Sequence, residues 1–325
     1  MLEEAQNWRE LLGELTHTPR ERQRIAHELG ITPITITRWV NNEADPRPQN
    51  VRHLLDILPE HRDFLLESIE EEFPTITNTE RTEIASRDIP SEFYARVFNA
   101  RTNTIESLRF WSICNLILQE ALGQLDPDRL GLVITVVRCF LSSRSKKIRS
   151  LRETIEQGTF PWSSNIEQNG MYLGAESLAG YCVSTARPQA IQNLKDESNL
   201  LPAHQADHEV SAATHPIMFS GRIAGCVLIS STQPNYFLSP SRLALISKYA
   251  NLIAVAFDPA DFCKQEEIAL LPMPLHNVQA RYFANFRDRV TSAMLKLHLS
   301  NTEAEQFVWE ELEEELIQVQ ANTMK

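Results

Sequence analysis

The glycine at position 30 constrains this chain more than any other residue, because it separates two segments that both carry strong helix-start signals. The segment RERQRIAHELGITPITITRWV follows Thr18-Pro19 and contains a second threonine-proline pair, Thr32-Pro33. A capping residue followed by proline is typical of a first helical turn, and glycine readily adopts the left-handed conformation that ends a helix sharply. The sequence therefore predicts a helix over 19–29, a turn at Gly30 and a second helix over 32–40.

The hydrophobic residues of this segment are spaced so that they meet between the two helices. The residues predicted to be buried there are Ile25, Leu29, Ile36, Trp39 and Val40, and the small Ala26 allows close approach. The whole chain has a net charge of −12, but residues 18–52 carry six arginines against four acids, which gives +2. A mildly basic patch on an acidic protein is compatible with a small DNA-binding module.

Ala26, Gly30, Ile36 and Trp39 fall on the four spacing-critical positions of the helix-turn-helix, and the segment resembles the lambda-repressor and Cro type. The resemblance implies that the second helix enters the major groove of double-stranded DNA. The residues expected to contact DNA are Thr32, Thr35, Thr37, Arg38, Asn41 and Arg47. Pro33 and Ile34 stand where family members often carry polar base-contacting residues, so apolar contact with a thymine methyl group is the alternative there.

A long amphipathic helix is predicted over 91–125, after the polar stretch PTITNTERTEIASRDIP, which marks a linker. Its apolar positions recur at spacings of three and four residues or their sums, at Phe93, Val97, Leu108, Trp111, Leu118, Leu122 and Leu125. One helix-turn-helix reads few base pairs, so we expect a homodimer with its two DNA-reading helices about 34 Å apart. The helix over 91–125 and the C-terminal helix are the candidate dimerisation elements.

Strand signals follow in the second half of the chain. Ser220-Gly221 predicts a tight hairpin turn. The flanking segments are apolar on both alternating faces, which indicates central strands, and Pro216 is expected near a strand start. Further helix starts are predicted at Asp126-Pro127 and Ser239-Pro240.

Three segments resemble, in their order, the GAF domain family: GAESLAGYCVSTARPQAIQNL, SAATHPIMFSGRIAGCVLISS and FLSPSRLALISKYANLIAVAF. The predicted fold is therefore multidomain. It has an all-α helix-turn-helix domain over 1–72, a linker over 73–90 and a connecting or dimerisation helix over 91–125. An α+β GAF-like domain with an antiparallel sheet flanked by helices follows over 126–259, and a helical C-terminal region over 260–325.

The GAF resemblance implies that a small molecule binds between the sheet and a covering loop, here about 159–175 and 193–212. The residues expected to line it are Trp162, Tyr172, Tyr181, His204 and His208. No cofactor beyond an unidentified small-molecule effector is expected. A metal site is not predicted, because no cysteine or carboxylate completes a recognised spacing with the two histidines. A redox pair formed by Cys182 and Cys226 stays open as an alternative.

The remaining features exclude several classes of protein. No secretory signal and no apolar run of membrane-spanning length occurs, and the five cysteines are widely spaced, so we expect reduced thiols in a cytoplasmic protein without membrane association. No phosphate loop, dinucleotide fingerprint or hydrolase motif occurs, so we expect no enzyme. The sequence favours a one-component DNA-binding transcriptional regulator. The alternative is a protein-interaction adaptor whose GAF-like domain is an empty dimerisation module.

Overall fold

The computed structural model describes residues 7–46, 48–58, 61, 64–65, 68–69, 72, 88–143, 145–162, 171–194 and 208–323. The chain divides into two compact units, Met1–Ile89 with Ser239–Arg242 and Pro90–Leu238 with Leu243–Lys325. We refer to them as the N-terminal and the C-terminal unit.

The N-terminal unit contains the helices α1 (Trp8–Leu15), α2 (Pro19–Glu28), α3 (Pro33–Val40) and α4 (Pro48–Ile57). The predicted helix pair is confirmed. The Thr18 hydroxyl accepts a hydrogen bond from the Glu21 amide at 3.2 Å, which caps α2. Gly30 has φ = +66°, the left-handed conformation expected of it. The core includes four of the five residues predicted to be buried, Ile25, Leu29, Ile36 and Trp39, and Val40 packs against it while partly exposed.

The C-terminal unit is built on a six-stranded antiparallel sheet with strand order β3-β2-β1-β6-β5-β4. The strands are β1 (Leu132–Cys139), β2 (Leu151–Gly158), β3 (Tyr172–Leu173), β4 (Gln189–Ile191), β5 (Ser211–Phe219) and β6 (Arg222–Ser231). The strands β1, β5 and β6 are rich in buried apolar residues on both faces, as expected of central strands. This part of the unit has the predicted architecture of a sheet flanked by helices.

Helices cover both faces of the sheet. The helices of this unit are α5 (Ser91–Asn103), α6 (Glu106–Leu125), α7 (Leu178–Thr185), α8 (Pro240–Ile253), α9 (His276–Phe283), α10 (Phe286–Leu297) and α11 (Asn301–Thr323). Helix α6 packs against β1 and β2, whereas α7 packs against β5 and β6. Successive side chains of a strand point to opposite faces of the sheet. They therefore lie alternately on the side of α6 and on the side of α7.

The predicted hairpin connects β5 and β6. Ser220 and Gly221 form a two-residue turn with φ values of +50° and +74°, which matches the right-handed twist of the strands. Further along β6, Gly225 has φ = +152°, and a Cβ atom there would lie 1.9 Å from the Val137 carbonyl oxygen. The absence of a side chain at Gly225 thus allows β6 and β1 to pair closely.

The prediction of one continuous helix over 91–125 is wrong. Helix α5 ends at Asn103, and Thr104 and Ile105 are both extended, with ψ values of 133° and 147°. The Thr102 hydroxyl donates to the Asn99 carbonyl oxygen at 3.0 Å, and Asn103 bonds to the same oxygen. Short polar side chains that bond to the backbone compete with helix propagation, and a β-branched pair follows, so the helix stops there.

The predicted helix start at Asp126 is also wrong. Asp126 instead follows the end of α6, and the chain enters β1 at Leu132 without a further helix. Its carboxylate accepts hydrogen bonds from the Leu130 amide at 2.7 Å and the Gly131 amide at 3.2 Å, and from the Thr159 hydroxyl at 2.5 Å. A side chain that accepts from nearby amides stabilises a loop as well as it caps a helix, which explains the misleading signal.

Pro216 lies in the interior of β5 and not near its start, contrary to the expectation. β4 pairs with β5 only as far as Thr214, so one side of β5 is unpaired from that point on. A proline, which has no N–H to donate, is tolerated where a strand borders no neighbour on one side.

The helical C-terminal region packs on the same unit through a second core, in which Tyr172 and Met273 contact the buried residues of α10 and α11. Glu313 of α11 is buried, and it accepts hydrogen bonds from the Ser150 hydroxyl at 2.6 Å and from Arg149 at 2.9 Å. Among the described residues, no helix is long and apolar enough to cross a membrane.

Candidate functional sites

Helix α3 presents two distinct faces. Ile36 and Trp39 are 0% and 2% exposed and anchor the helix in the core. The opposite side presents Thr32, Pro33, Ile34 and Arg38 to solvent, with Thr35 and Thr37 partly exposed. Ile34 is 72% exposed, although the same helix packs its other large apolar side chains into the core. The exposed face therefore combines hydroxyl, apolar and cationic groups.

The threonines of this face bond to each other and to the helix backbone. The hydroxyls of Thr32 and Thr35 are 2.9 Å apart, and Thr32 makes no side-chain cap to the helix amides. The Thr37 hydroxyl donates to the Pro33 carbonyl oxygen at 3.3 Å. Thr32 thus occupies the N-cap position, as predicted, but its hydroxyl is directed to a neighbouring side chain. This arrangement leaves hydroxyl groups at the exposed N-terminal turn of α3.

The other predicted DNA-contacting residues lie at or beyond the end of α3. Asn41 is exposed at the C-cap, and its amide group donates to Glu43 at 3.2 Å. Arg38 is exposed in the last turn, and the described residues provide no ion pair for it. Arg47 lies outside the described residues.

Arg9 holds the end of α3 from a neighbouring helix, a role that no local sequence signal predicts. It is 8% exposed. Its guanidinium donates to the carbonyl oxygens of Trp39 and Ala44 and to the carboxylates of Asp45 and Glu72. The hydrogen bond from Arg9 holds the pKa of Glu72 below its usual value. One buried cation therefore orients the carbonyl end of the helix that carries the exposed face.

A second candidate site lies on the side of the sheet that α7 partly covers. Thr135 of β1 is in register with Glu156 of β2 and Leu228 of β6, so their side chains share one face. The Thr135 hydroxyl donates to Glu156 at 3.0 Å. Glu153 is in register with Val137 on the same face, because a bulge in the β1–β2 pairing skips one residue.

A third carboxylate approaches from the segment before β5. Glu209 accepts a hydrogen bond from the Ser230 hydroxyl at 2.5 Å. We call Glu153, Glu156 and Glu209 the acidic cluster. Burial, together with repulsion from the other two carboxylates, raises the pKa of Glu153 to about 8. Burial raises the pKa of Glu156 to about 7, against the opposing effect of the Thr135 hydrogen bond. Glu156 and Glu209 therefore both disfavour the ionised form of Glu153.

The residues predicted to line a ligand site lie in different places. Trp162 is partly buried beside Gly158, at the end of the strand that carries Glu156. Tyr172 is 1% exposed, and its hydroxyl donates to the Trp309 carbonyl oxygen in the C-terminal core. Tyr181 is 46% exposed on α7, and His208 is exposed with φ = +79°. His204 lies outside the described residues. Of the described four, Trp162 lies beside the end of the strand that carries Glu156, and His208 directly precedes Glu209 in the chain.

A groove of about 350 Å³ runs between the edge strand β4 and helix α8. Ala190 and Ala213 form its sheet side, and Leu243 and Ile246 form its helix side. His215 is its titratable group, and burial lowers the pKa of that imidazole. The groove can accept an apolar group, but its one histidine is also bonded to the Pro216 carbonyl oxygen at 3.0 Å.

All five cysteines are buried and unpaired as disulfides. Cys182 and Cys226 lie in the same core cluster as Cys139 and Cys263. A hydrogen bond between the two thiols lowers the pKa of Cys182 and raises that of Cys226. Both side chains are 0% exposed, which is typical of cysteine as a small hydrophobic residue.

A family model for the GAF domain matches residues 112–258, which span most of α6, the sheet and α8. The C-terminal unit therefore contains a GAF domain. The match does not extend to residues 1–89. No curated protein matches the sequence.

The GAF domain is also similar to solved structures. One is the GAF domain from Acinetobacter phosphoenolpyruvate-protein phosphotransferase, at 12% identity and a TM-score of 0.35, which covers 51% of this chain and 90% of that chain. Another is the type II free methionine-R-sulfoxide reductase from Thermoplasma acidophilum, at 18% identity and a TM-score of 0.34, which covers 45% of this chain and 93% of that chain. A third is the GAF domain of a phosphoenolpyruvate-protein phosphotransferase from Coxiella burnetii, at 11% identity and a TM-score of 0.36, which covers 51% of this chain and 90% of that chain.

Proposed function

We propose that this protein is a DNA-binding transcriptional regulator whose GAF domain senses a small molecule. The observation that carries the proposal is the pair of faces on α3, with Ile36 and Trp39 in the core and Thr32, Ile34 and Arg38 exposed. Packing alone does not require an exposed isoleucine beside hydroxyl and guanidinium groups. A helix in the major groove uses such groups for thymine methyl, base-edge and phosphate contacts.

The acidic character of the whole chain is no obstacle to this function. Affinity for DNA depends on the local charge near the phosphates, because salt screens charges more than about 8 Å away at physiological ionic strength. Arg38 lies in the last turn of α3, and the helix carries no acidic residue. The exposed face of the helix is thus locally positive.

We propose that the regulator acts as a homodimer and that α5 and α6 form the dimer contact. Ile105 is 65% exposed, and Leu108 and Trp111, one turn apart on α6, are 54% and 46% exposed. Exposed apolar groups of this size at neighbouring positions mark an interaction surface more often than free surface. A ligand in the GAF domain would change DNA binding by the difference in its affinity for two arrangements of the dimer.

A gel shift with the full-length protein over a range of salt concentrations tests the DNA-binding role. Sequence-selected duplex DNA is the probe, and Arg38→Ala and Thr35→Ala are the test variants. Arg38→Ala is expected to weaken binding and, if Arg38 contacts a phosphate, to reduce the salt-dependence slope by about 1. Thr35→Ala is expected to relax base preference.

Arg24→Ala is the matched control. Arg24 is an exposed arginine of α2, where it pairs with Glu21 and Glu28. Arg24→Ala changes the net charge by the same amount as Arg38→Ala, but the substituted residue lies outside α3. Binding to no duplex at low salt would reject the DNA-binding role and favour the adaptor, whose GAF domain serves dimerisation alone.

A further inference from the structure

We propose that the groove between β4 and α8 binds a small neutral phenol, whose hydroxyl group donates a hydrogen bond to His215. The inference deepens the proposed sensing function and rests on it. The groove has a volume of about 350 Å³, and all the residues that line it belong to the C-terminal unit. This volume is at the lower end of the range of small-molecule sites, so the ligand is small.

Two alanines leave the space that the groove occupies. Ala190 of β4 and Ala213 of β5 are in register, so their side chains lie on the same face of the sheet. On α8, Ile246 and Ser247 follow Leu243 by three and four residues, and this helix face forms the opposite wall. Helices and sheets normally pack with few voids larger than a water molecule. A space of this size between α8 and the sheet therefore points to an occupant.

His215 supplies the groove with a hydrogen-bond acceptor. It follows Ala213 by two residues on β5, so its side chain lies on the face that lines the groove. Its Nδ1 atom lies 3.0 Å from the Pro216 carbonyl oxygen, which can only accept, so Nδ1 carries the proton. Burial lowers the pKa of the imidazole, so the ring is neutral at neutral pH and Nε2 carries a lone pair. Nε2 has no hydrogen-bond partner within the described residues, so a donor from a ligand can bind there.

The lining of the groove selects a neutral ligand. His215 is the one titratable side chain among the described residues that form it. No lysine, arginine or carboxylate of this lining can compensate a charged ligand, whose transfer from water into a largely apolar site is costly. A neutral hydroxyl group that donates to Nε2 satisfies the acceptor without that cost.

The shape of the groove favours a flat ring over a branched alcohol. The two alanines form a shallow floor on the sheet, and the branched side chains of Leu243 and Ile246 lie across from it. The Ser247 hydroxyl lies on the helix side, and it makes no hydrogen bond within the described residues. A second polar substituent on the ring can therefore bond to Ser247. An apolar site with a few polar groups is typical of small-molecule recognition.

The test uses the full-length protein and three probes that share a methyl-substituted benzene ring. The neutral donor is para-cresol, para-methylanisole lacks the donor hydrogen, and para-toluate is the anion. In calorimetric titration we expect para-cresol to bind at least about fivefold more tightly than para-methylanisole, because the anisole leaves Nε2 unpaired. We expect para-toluate to bind most weakly, because the groove does not compensate its charge.

Two variants locate the binding site. His215→Leu removes the acceptor and keeps an apolar side chain, so it is expected to abolish the preference for para-cresol over para-methylanisole. Ala190→Leu fills the groove from the edge strand and is expected to weaken the binding of both probes at least about tenfold. His17→Leu is the matched control, because His17 is exposed and its Nδ1 atom also lies 3.0 Å from a backbone carbonyl oxygen, that of Glu14.

The proposal is overturned if the wild type binds para-cresol and para-methylanisole equally or binds para-toluate most tightly. An unchanged para-cresol preference in His215→Leu, or unchanged para-cresol affinity in Ala190→Leu, overturns it as well. So does the absence of para-cresol binding at about 10 mM. Melting without a probe shows whether each variant folds, and if His215→Leu does not, the comparison of probes on the wild type and Ala190→Leu still decides. The gel shift on DNA without any probe is independent of these results, so failure of the ligand class and failure of the DNA-binding role are distinguishable.

Discussion

The Nη1 atom of Arg9 lies 2.5 Å from the carbonyl oxygen of Trp39, and this contact joins the buried face of α1 to the last turn of α3. Trp39 is itself 2% exposed. A helix end has carbonyl groups without partners inside the helix, and a cation near the helix C-terminus also interacts favourably with the helix dipole. Arg9 therefore contributes to the orientation of the exposed face of α3 without lying on it.

Replacement of Arg9 by methionine is expected to loosen α3. Methionine keeps the aliphatic part but removes the charged donor from the Trp39 carbonyl oxygen, which then keeps only the Asn42 amide at 3.1 Å. The loss of a hydrogen bond to a charged group costs about 2 kcal/mol. Hydrogen exchange of the α3 amides in the full-length protein measures the free energy of local opening. Arg24→Met is the control, because its exposed ion pairs contribute at most about 1 kcal/mol. Equal protection of α3 in the two variants would contradict the role given to Arg9.

Ile34 is expected to matter for DNA and not for folding. With its side chain 72% exposed, Ile34→Ala should change the free energy of unfolding by no more than about 0.5 kcal/mol. If Ile34 contacts a thymine methyl group, the variant loses affinity for the selected duplex and no longer distinguishes thymine from uracil at the contacted position. Gel shifts on matched thymine and uracil duplexes measure this. Leu295→Ala, also at 72% exposure, is the control, and equal effects of the two substitutions would refute the contact.

The sequence predicted those elements whose signals are local. The threonine cap, Pro19 and Gly30 specify a helix, a turn and a helix start within a few residues, and the structure follows them. The hairpin at Ser220-Gly221 was predictable for the same reason. Asp126-Pro127 carries a similar local signal, yet there the amides that use the carboxylate belong to a loop. A local signal predicts that a side chain will accept hydrogen bonds from nearby amides. It does not predict whether those amides belong to a helix or to a loop.

The sites depend on contacts between distant segments, which local patterns do not contain. From its local sequence Arg9 would be interpreted as a surface charge. Its role depends on hydrogen bonds to Trp39 and Glu72, which are distant in the sequence. Glu153 and Glu156 have the appearance of an exposed polar strand, and the bulge that puts both on one face leaves no mark in their spacing. Leu151 and Ile155, the apolar residues of the otherwise polar segment LRETIEQG, were a usable signal for a half-exposed strand. This signal did not identify the carboxylates that face each other.

Loss of the Asp126 carboxylate is expected to destabilise the C-terminal unit. Asp126 is 5% exposed and accepts from two amides and the Thr159 hydroxyl, so Asp126→Ala leaves buried donors unsatisfied at a cost of about 3 kcal/mol. Asp126→Asn keeps one acceptor and should lose less. Calorimetric melting of the full-length proteins tests this order. A melting temperature of Asp126→Ala equal to that of the wild type would show that water replaces the carboxylate.

The acidic cluster predicts that the protein without ligand becomes less stable as the pH rises. The folded-state pKa values of Glu153 and Glu156, about 8 and about 7, lie above the unfolded value of 4.5, so the folded state binds more protons between these values. The free energy of unfolding is therefore expected to fall from about pH 5 to about pH 8.5 as Glu153 and Glu156 ionise beside Glu209.

Glu153→Gln removes one of these ionisations and should flatten the pH dependence. The variant is expected to match the wild type near pH 5, where Glu153 is protonated, and to melt a few degrees higher near pH 8.5. Melting temperatures of both proteins at the two pH values measure the effect, with Glu92→Gln on exposed α5 as the control. A difference between variant and wild type that is the same at both pH values would contradict the raised pKa of Glu153.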